Sequence, residues 1–472
     1  MRKRIDRSFL RLALAGVAVA AVASTPLLGS ATGLANSPFA IRAINTDGSG
    51  KFSIKPFAKS GASQPGGDTG STTPPVSDPE PTRAPDATPG LVAMTIDTSL
   101  PSCQATTTGF QLNVASVNSQ DPAKMPLSVN AGVNWGDSSS GDLATGINSH
   151  VYKAGKYNLT IDGKLGGLNS VAASAASCIS RVDHIGENTG IVTLEGFLKS
   201  GTNLSYFAAP PTSLTNGISM LDGANRFRGD GSETWVLPNL AQSSNMFNRA
   251  SIFNGDLSNL NPKNLQIASG MFTNTDSFIG KGLEKWKTPA LTSTASMFLY
   301  AKAFNAPIGV WDVSHVTTFA FMFGYTNTFN QDISSWNVSS GKSFRSMFTS
   351  AFAFNQPLDS WDVSSAIDMV QMFMSASKFN QDLNSWNVSN VTDMTNIFRS
   401  ASAFNGKVSA WNTAKVADMF YAFWGTTNFK QDVSKWNVNR VTDWTGFYNY
   451  SALKSNPSLV PLKFQNSTGA NG

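Results

Sequence analysis

Charge is scarce in this chain. Asp, Glu, Lys and Arg make up 14% of its 472 residues, too few for a surface built on ion pairing. Histidine is scarcer still: His150, His184 and His315 are the only imidazoles, which leaves a His-based metal centre short of ligands. Only Cys103 and Cys178 occur, so the chain is not a small disulfide-dense scaffold. No apolar run of membrane-spanning length follows the N-terminal region. The formal net charge is +5, yet Arg2, Lys3, Arg4, Arg7 and Arg11 against Asp6 supply five positive charges and one negative, or +4 of it. The rest is nearly neutral and without a basic cluster, which excludes an electrostatic footprint for nucleic acid.

What is present begins with MRKRIDR followed by the apolar run LRLALAGVAVAAVA, ending in small residues at Ala21-Val22-Ala23. This three-part pattern reads as a secretory signal peptide over 1–23, with Ala35 an alternative cleavage point and an uncleaved membrane anchor the competing interpretation. No Cys follows the run, so a lipid anchor is not expected, and the tail over 456–472 carries no sorting motif. Residues 24–90 are poor in apolar side chains, and SGASQPGGDTGSTTPPVSDPEPTRAPDATPG is dense in Gly, Ser, Thr and Pro. Such a segment buries too little surface to offset its ordering entropy and reads as a disordered linker. In an oxidising compartment Cys103 and Cys178 are disulfide candidates, the alternative being two unrelated buried thiols.

Between 91 and 178, LVAMTID, GFQLNVASV and KYNLTIDG alternate apolar and polar residues as half-buried strands do. The stretch with Trp135-Gly136-Asp137, His150-x-Tyr152 and Gly155-x-Tyr157-x-Leu159 resembles the PKD-like immunoglobulin-type β-sandwich, departing from it at Ser138, where that family usually has Gly. His150 and Asp137 could in principle form a catalytic or metal-binding pair; a hairpin-organising role fits these residue types better.

From about 179 to 455 the chain repeats. Trp286, Trp311, Trp336, Trp361, Trp386, Trp411 and Trp436 recur every 25 residues, and a Phe series through Phe329, Phe354, Phe379 and Phe404 keeps the same step. One such unit cannot bury its own apolar side chains, whereas stacked units bury a continuous column. The expected core therefore holds Phe329, Trp336, Phe354, Trp361, Phe379, Trp386, Phe404 and Trp411. Successive coils should lie roughly 4.8 Å apart if they pair as parallel strands. Within a unit, Phe379–Trp386 reads as a short strand. Asp393-Met-Thr-Asn-Ile-Phe398 places Met394, Ile397 and Phe398 at the i, i+3, i+4 spacing of a helical turn, capped by Asp393 or Thr392.

Units such as FNQDLNSWNVSNVTDMTNIFRSAS resemble the repeat of bacterial BspA-like leucine-rich-repeat surface proteins, also described as mycoplasma lipoprotein-associated repeats. The resemblance implies a leucine-rich-repeat-like solenoid on a secreted or surface-displayed bacterial protein with adhesive roles. The expected fold class is thus an α/β repeat solenoid of short strands plus helical turns, preceded by a small N-terminal β-sandwich.

Chemistry is harder to find. Asp368, Asp393, Asp418 and Asp443 form a file that could hold calcium, but Ser343 and Thr318 occupy the equivalent earlier positions and ligate calcium poorly, so capping is the better account. A second file, Asp256, Lys281, Pro307, Asp332, Pro357, Asp382, Lys407 and Asp432, keeps no carboxylate pair at one position, as glycoside cleavage would need. The regular tryptophans could stack on sugars if exposed, though their phase with the inward residues points to core. Asn355, Asn380 and Asn405 are placed to bond along the stack. No catalytic residue, cofactor or metal is expected. The expected function is a secreted or cell-surface, non-catalytic adhesion scaffold contacting a protein or glycan. A carbohydrate-binding module for extracellular polysaccharide is the alternative, and a polysaccharide-degrading solenoid the third.

Overall fold

The computed structural model describes residues 91–103, 109–116, 129–169 and 173–465. The signal-peptide and linker readings over 1–23 and 24–90 lie outside the described residues, as does 466–472 of the tail.

Two sheets open the described chain. The larger joins β4 (Ser140–Asp142), β3 (Asn130–Asn134), β6 (Lys156–Lys164), β1 (Leu91–Asp97), β8 (Ile179–Ile185) and β9 (Tyr206–Phe207), in that order. The smaller joins β5 (Gly146–His150), β2 (Phe110–Ala115) and β7 (Gly167–Asn169). Alternation decides the register. Val92, Met94 and Ile96 of β1 are fully buried, and Val92 and Met94 lie opposite Ile161 and Leu159 of β6. A slip of one residue would turn all three outward. Phe110, Leu112 and Val114 do the same for β2. Cys103 and Cys178 are joined by a disulfide across 75 residues of sequence.

Two turn positions carry the hairpin before β4. Gly136 has φ +86°, and a Cβ there would stand 2.5 Å from the Asn158 carbonyl oxygen, so no other residue fits. Ser138 also takes the left-handed region at φ 74°.

Both sheets hand the chain on to the repeats. β9 pairs in parallel with β8. From Gly167 of β7 a ladder of single parallel bridges runs through Thr193, Asn216, Gln242, Ile267, Ser293, Thr318, Ser343, Asp368, Asp393 and Asp418 to Asp443. Each of these rung residues marks one coil. The sheet does not end at 178, because β8 extends it and begins the repeat at the same time.

The coils are not built as an α/β solenoid of strands and helical turns. Among the described residues the strands end at Phe207, and the only α-helices are α1 (Ala173–Ala176) and α2 (Leu462–Gln465), both outside the repeats. Phe379–Trp386 is not a strand, and Asp393–Phe398 is not a helical turn. The backbone shows why. After Asp393, the N–H groups of Met394, Asn396, Phe398 and Ser400 donate to Asp418, Phe420, Ala422 and Trp424 of the next coil. The N–H groups of Ile397, Arg399 and Ala401 instead close three-residue turns onto Met394, Asn396 and Phe398. A helix needs every N–H turned back along its own axis; here alternate N–H groups point at the next coil. Asn396 and Ser400 accordingly sit at φ 56° and 59°. The same left-handed pair recurs at Ser296 and Tyr300, Phe321 and Tyr325, Ser346 and Ser350, and Gln371 and Ser375. Each non-glycine residue there costs about 1 kcal/mol, which a bond to the next coil of similar magnitude offsets. A ribbon of linked turns buries its first, fourth, fifth and eighth residues, here Met394, Ile397, Phe398 and Ala401. That is the i, i+3, i+4, i+7 spacing of a helix, and the sequence alone cannot separate the two.

Inside the stack the aromatic rings meet in two directions. Within a coil, Phe323 lies 4.0 Å from Phe329 and Phe373 lies 4.2 Å from Phe379. Between coils, Phe329, Phe354, Phe379 and Phe404 follow one another at 5.8, 6.0 and 5.8 Å, nearly parallel. These steps exceed the ~4.8 Å strand spacing, as offset-stacked rings require.

Candidate functional site

The eight aromatic residues singled out from the repeat all lie in the core. Phe329, Phe354, Phe379 and Phe404 have no exposure, and Trp336, Trp361, Trp386 and Trp411 have 3% or less. Each of these indoles also donates its Nε1–H to a carbonyl of the preceding coil: Ile308, Ile333, Leu358 and Leu383, at 2.7–3.1 Å. A ring whose faces and polar edge are already occupied has nothing left for a sugar. The regular tryptophans are structural.

The asparagines are structural too, and directional. The Oδ1 of Asn330, Asn355 and Asn380 accepts the backbone N–H of Asn355, Asn380 and Asn405 in the next coil at 2.7–2.8 Å. Asn405 accepts from Lys430, where the file ends.

The file of aspartates does what a turn needs. Asp393, Asp418 and Asp443 each accept the N–H two residues on, from Thr395, Phe420 and Thr445, at 2.8–2.9 Å, and Asp368 accepts from Val370 at 3.2 Å. With no helix to cap, these are Asx-type turns that open each ribbon. Burial raises the pKa of Asp418 above the ordinary value, with Asp393 and Asp443 on either side pushing the same way. Arg345 donates to Asp368 at 2.8 Å. In the second file, Lys281 pairs with Asp256 at 2.8 Å and Lys407 with Asp382 at 3.2 Å across neighbouring coils. Asp332 and Asp432 each accept the N–H of the serine two residues on. Among the described residues no group of three His, Cys, Asp or Glu side chains is placed to hold a metal ion.

In the sheet region His150 Nε2 meets Asp137 Oδ2 at 2.7 Å, and the Trp135 indole stacks on the imidazole at 4.8 Å. The Ser139 hydroxyl, then His150, hold the Asp137 carboxyl down at about 2. Tyr152 packs edge-on to His150 at 4.7 Å and donates its hydroxyl to the Trp135 carbonyl. Burial, with Asp137 and Tyr157 adding to it, raises the Tyr152 phenol. Each group faces another member of the hairpin, so the cluster fixes the turn.

The residues left over are those that the repeat does not explain. On the ribbon face, the second, third, sixth and seventh positions after each rung lie off the aromatic column, and neighbouring side chains bury several of them, among them Ser346, Thr349, Gln371 and Asn396. In the coil that starts at Asp418, three of them are aromatic: Phe420, Tyr421 and Trp424, all half-buried. Phe420 lies 4.0 Å from Tyr421, and Tyr421 lies 6.1 Å from Trp424. Trp424 in turn meets Tyr450 of the next coil at 5.2 Å. The Arg399 guanidinium sits 5.0 Å from both the Tyr421 and Trp424 rings. A second patch pairs Tyr300 and Tyr325 at 4.4 Å. Sequence reasoning overlooked both patches because it searched for what repeats. The signal was in the departures from the repeat.

Among the described residues no helix is long and apolar enough to cross a membrane. No curated protein and no solved structure matches the chain. A family model does match, over residues 211–281, 279–386 and 356–460, and so over more than half of the chain. The repeats it covers are the coils described above, and the chain belongs to the family described as Mycoplasma protein of unknown function, DUF285.

Proposed function

We propose that this protein is a non-catalytic binding scaffold, exported and displayed at or beyond a bacterial cell surface, that adheres to a protein or a glycan. The observation that carries the proposal is the ladder of single parallel bridges from Gly167 to Asp443. It fixes the outward side chains of successive coils at a constant step, which presents one long, sparsely charged surface suited to broad, multivalent contact. The BspA-like resemblance of the repeats and the PKD-like resemblance of the sheet region fit a surface protein of this kind. The N-terminal pattern MRKRIDR-LRLALAGVAVAAVA supports export.

The carboxylates of the coils are engaged in turns and in pairs with Arg or Lys, and that supports binding over turnover. The test is to present the purified full chain to immobilised extracellular matrix proteins and to a glycan array, with release of reducing ends from polysaccharides measured in parallel. The expected result is saturable binding to one class without release. Release of reducing ends, or no saturable binding to either class, would refute the proposal.

A further inference from the structure

The repeat supplies its own control. Coils that start at Ser343, Asp368 and Asp393 carry Arg345 and Ser346, Val370 and Gln371, and Thr395 and Asn396 where the coil from Asp418 carries Phe420 and Tyr421. At the sixth position they have Thr349, Met374 and Arg399 in place of Trp424. The backbone bonding is the same in all of them: Phe348, Phe373, Phe398 and Phe423 each donate to the following coil at 2.7–2.9 Å. The backbone bonding of the coil therefore does not require rings at 420, 421 and 424. Placing large apolar rings in water is unfavourable unless a partner covers them.

We infer that this ribbon face binds a neutral, linear glycan lying along the stack, with Phe420, Tyr421, Trp424 and Tyr450 as one platform and Tyr300 and Tyr325 as the other. Three observations select that ligand. Flat aromatic rings open to solvent suit the apolar face of a pyranose ring, and Tyr450 is 68% and Tyr300 36% exposed, with Phe420, Tyr421 and Trp424 half-buried beside Tyr450. A cationic ligand is disfavoured, because the Arg399 guanidinium already occupies the position between Tyr421 and Trp424. The two platforms are separated by the coils from Ser343, Asp368 and Asp393, and Tyr325 and Tyr450, both seventh after their rungs, stand five coil steps apart, about 24 Å at the parallel-strand spacing. The floor between them carries Ser375 and Ser400, half-buried hydroxyls that can both donate to and accept from sugar hydroxyls. One coil step is close to the length of one pyranose residue in an extended chain. A linear oligosaccharide therefore meets equivalent positions coil after coil, whereas a folded protein partner has no reason to share that period.

This inference rests on the binding-scaffold reading and narrows it to one ligand class and one face. The experiment titrates the full chain with cellohexaose, chitohexaose and maltohexaose, and with the corresponding trisaccharides, by calorimetry and by indole fluorescence. The expected result is that at least one hexasaccharide binds, and binds more tightly than its trisaccharide. The triple variant Phe420→Val, Tyr421→Gln, Trp424→Met copies the coil from Asp368 into the coil from Asp418, so it keeps a pattern this backbone already accepts. It should weaken hexasaccharide binding at least tenfold. Tyr450→Ser, at an exposed site outside the core, should weaken it in the same direction. Tyr325→Ser should bring the hexasaccharide affinity down toward that of the trisaccharide. Failure of all three hexasaccharides to bind at millimolar concentration, or wild-type affinity in the triple variant and in Tyr450→Ser, would overturn the inference. Capture of a matrix protein by a chain that binds no hexasaccharide would also overturn it, while leaving the scaffold reading intact.

Discussion

Replacing Trp361 tests the column on which the architecture depends. The ring is 2% exposed, lies 6.4 Å from Trp336, 6.2 Å from Phe344 and 6.5 Å from Phe348, and donates its Nε1–H to the Ile333 carbonyl at 3.0 Å. Trp361→Ala deletes all of these contacts and leaves a void in a close-packed interior, which costs about 3–5 kcal/mol. Trp361→Phe keeps a ring but removes one of two donors to the Ile333 carbonyl, which still accepts the Trp336 N–H, and this should cost about 1 kcal/mol. In a stack each coil is held by its two neighbours, so the loss falls on both interfaces of one coil. Urea unfolding followed by circular dichroism reads the total. Amide hydrogen exchange reads its location, and protection should fall first in the coils that contain Trp336 and Trp386. Val310→Ala, at a site 59% exposed, is the control and should change stability by less than about 0.5 kcal/mol. If Trp361→Ala costs no more than Val310→Ala, the aromatic column does not hold the coils together and the reasoning fails.

Three further outcomes are expected. Asn380→Ala leaves the Asn405 N–H without its acceptor and should cost about 1 kcal/mol in urea unfolding, while Asn380→Asp, which retains an acceptor oxygen, should cost less. For Asp418 the folded carboxyl has the higher pKa, so between the two values the folded chain holds a proton that the unfolded chain releases. The associated stability is complete below the unfolded value near 4 and is lost as pH rises through the folded one. Asp418→Asn should therefore raise the thermal midpoint at pH 7, and the gain should shrink as pH falls from 7 toward about 4 and stay level below it. Reducing the Cys103–Cys178 disulfide, which closes a loop of 75 residues, should lower the stability of the sheet region by about 4 kcal/mol. Exchange protection of β1 and β8 reports that loss, and the coils beyond Asp393 should be unaffected.

The repeat and its aromatic core could be read from spacing because burial in a stack is periodic. Phe329, Trp336, Phe354 and Trp361 had to fall at one phase if coils were to cover each other, and they do lie in the core. The conformation of the coil could not be read that way. Met394, Ile397, Phe398 and Ala401 carry the same spacing whether the backbone is a helix or a ribbon of turns, and only the bonds from Met394, Asn396, Phe398 and Ser400 to the next coil separate the two. The aspartate file was legible as capping, yet what each carboxylate caps is a turn. The aromatic platforms at Trp424 and Tyr300 were not seen at all, since an outward ring and an inward ring look alike until the phase of the ribbon is known.

What the sequence determined by itself is that the chain must stack: no unit of 25 residues can bury a Phe and a Trp alone, and identical units offer each other identical faces. What only the tertiary structure decided is how a coil is made and which rings remain outside. Both depend on where each backbone N–H finds its acceptor, and for alternate N–H groups of the ribbon that acceptor lies a full coil away in sequence, beyond the reach of any local pattern.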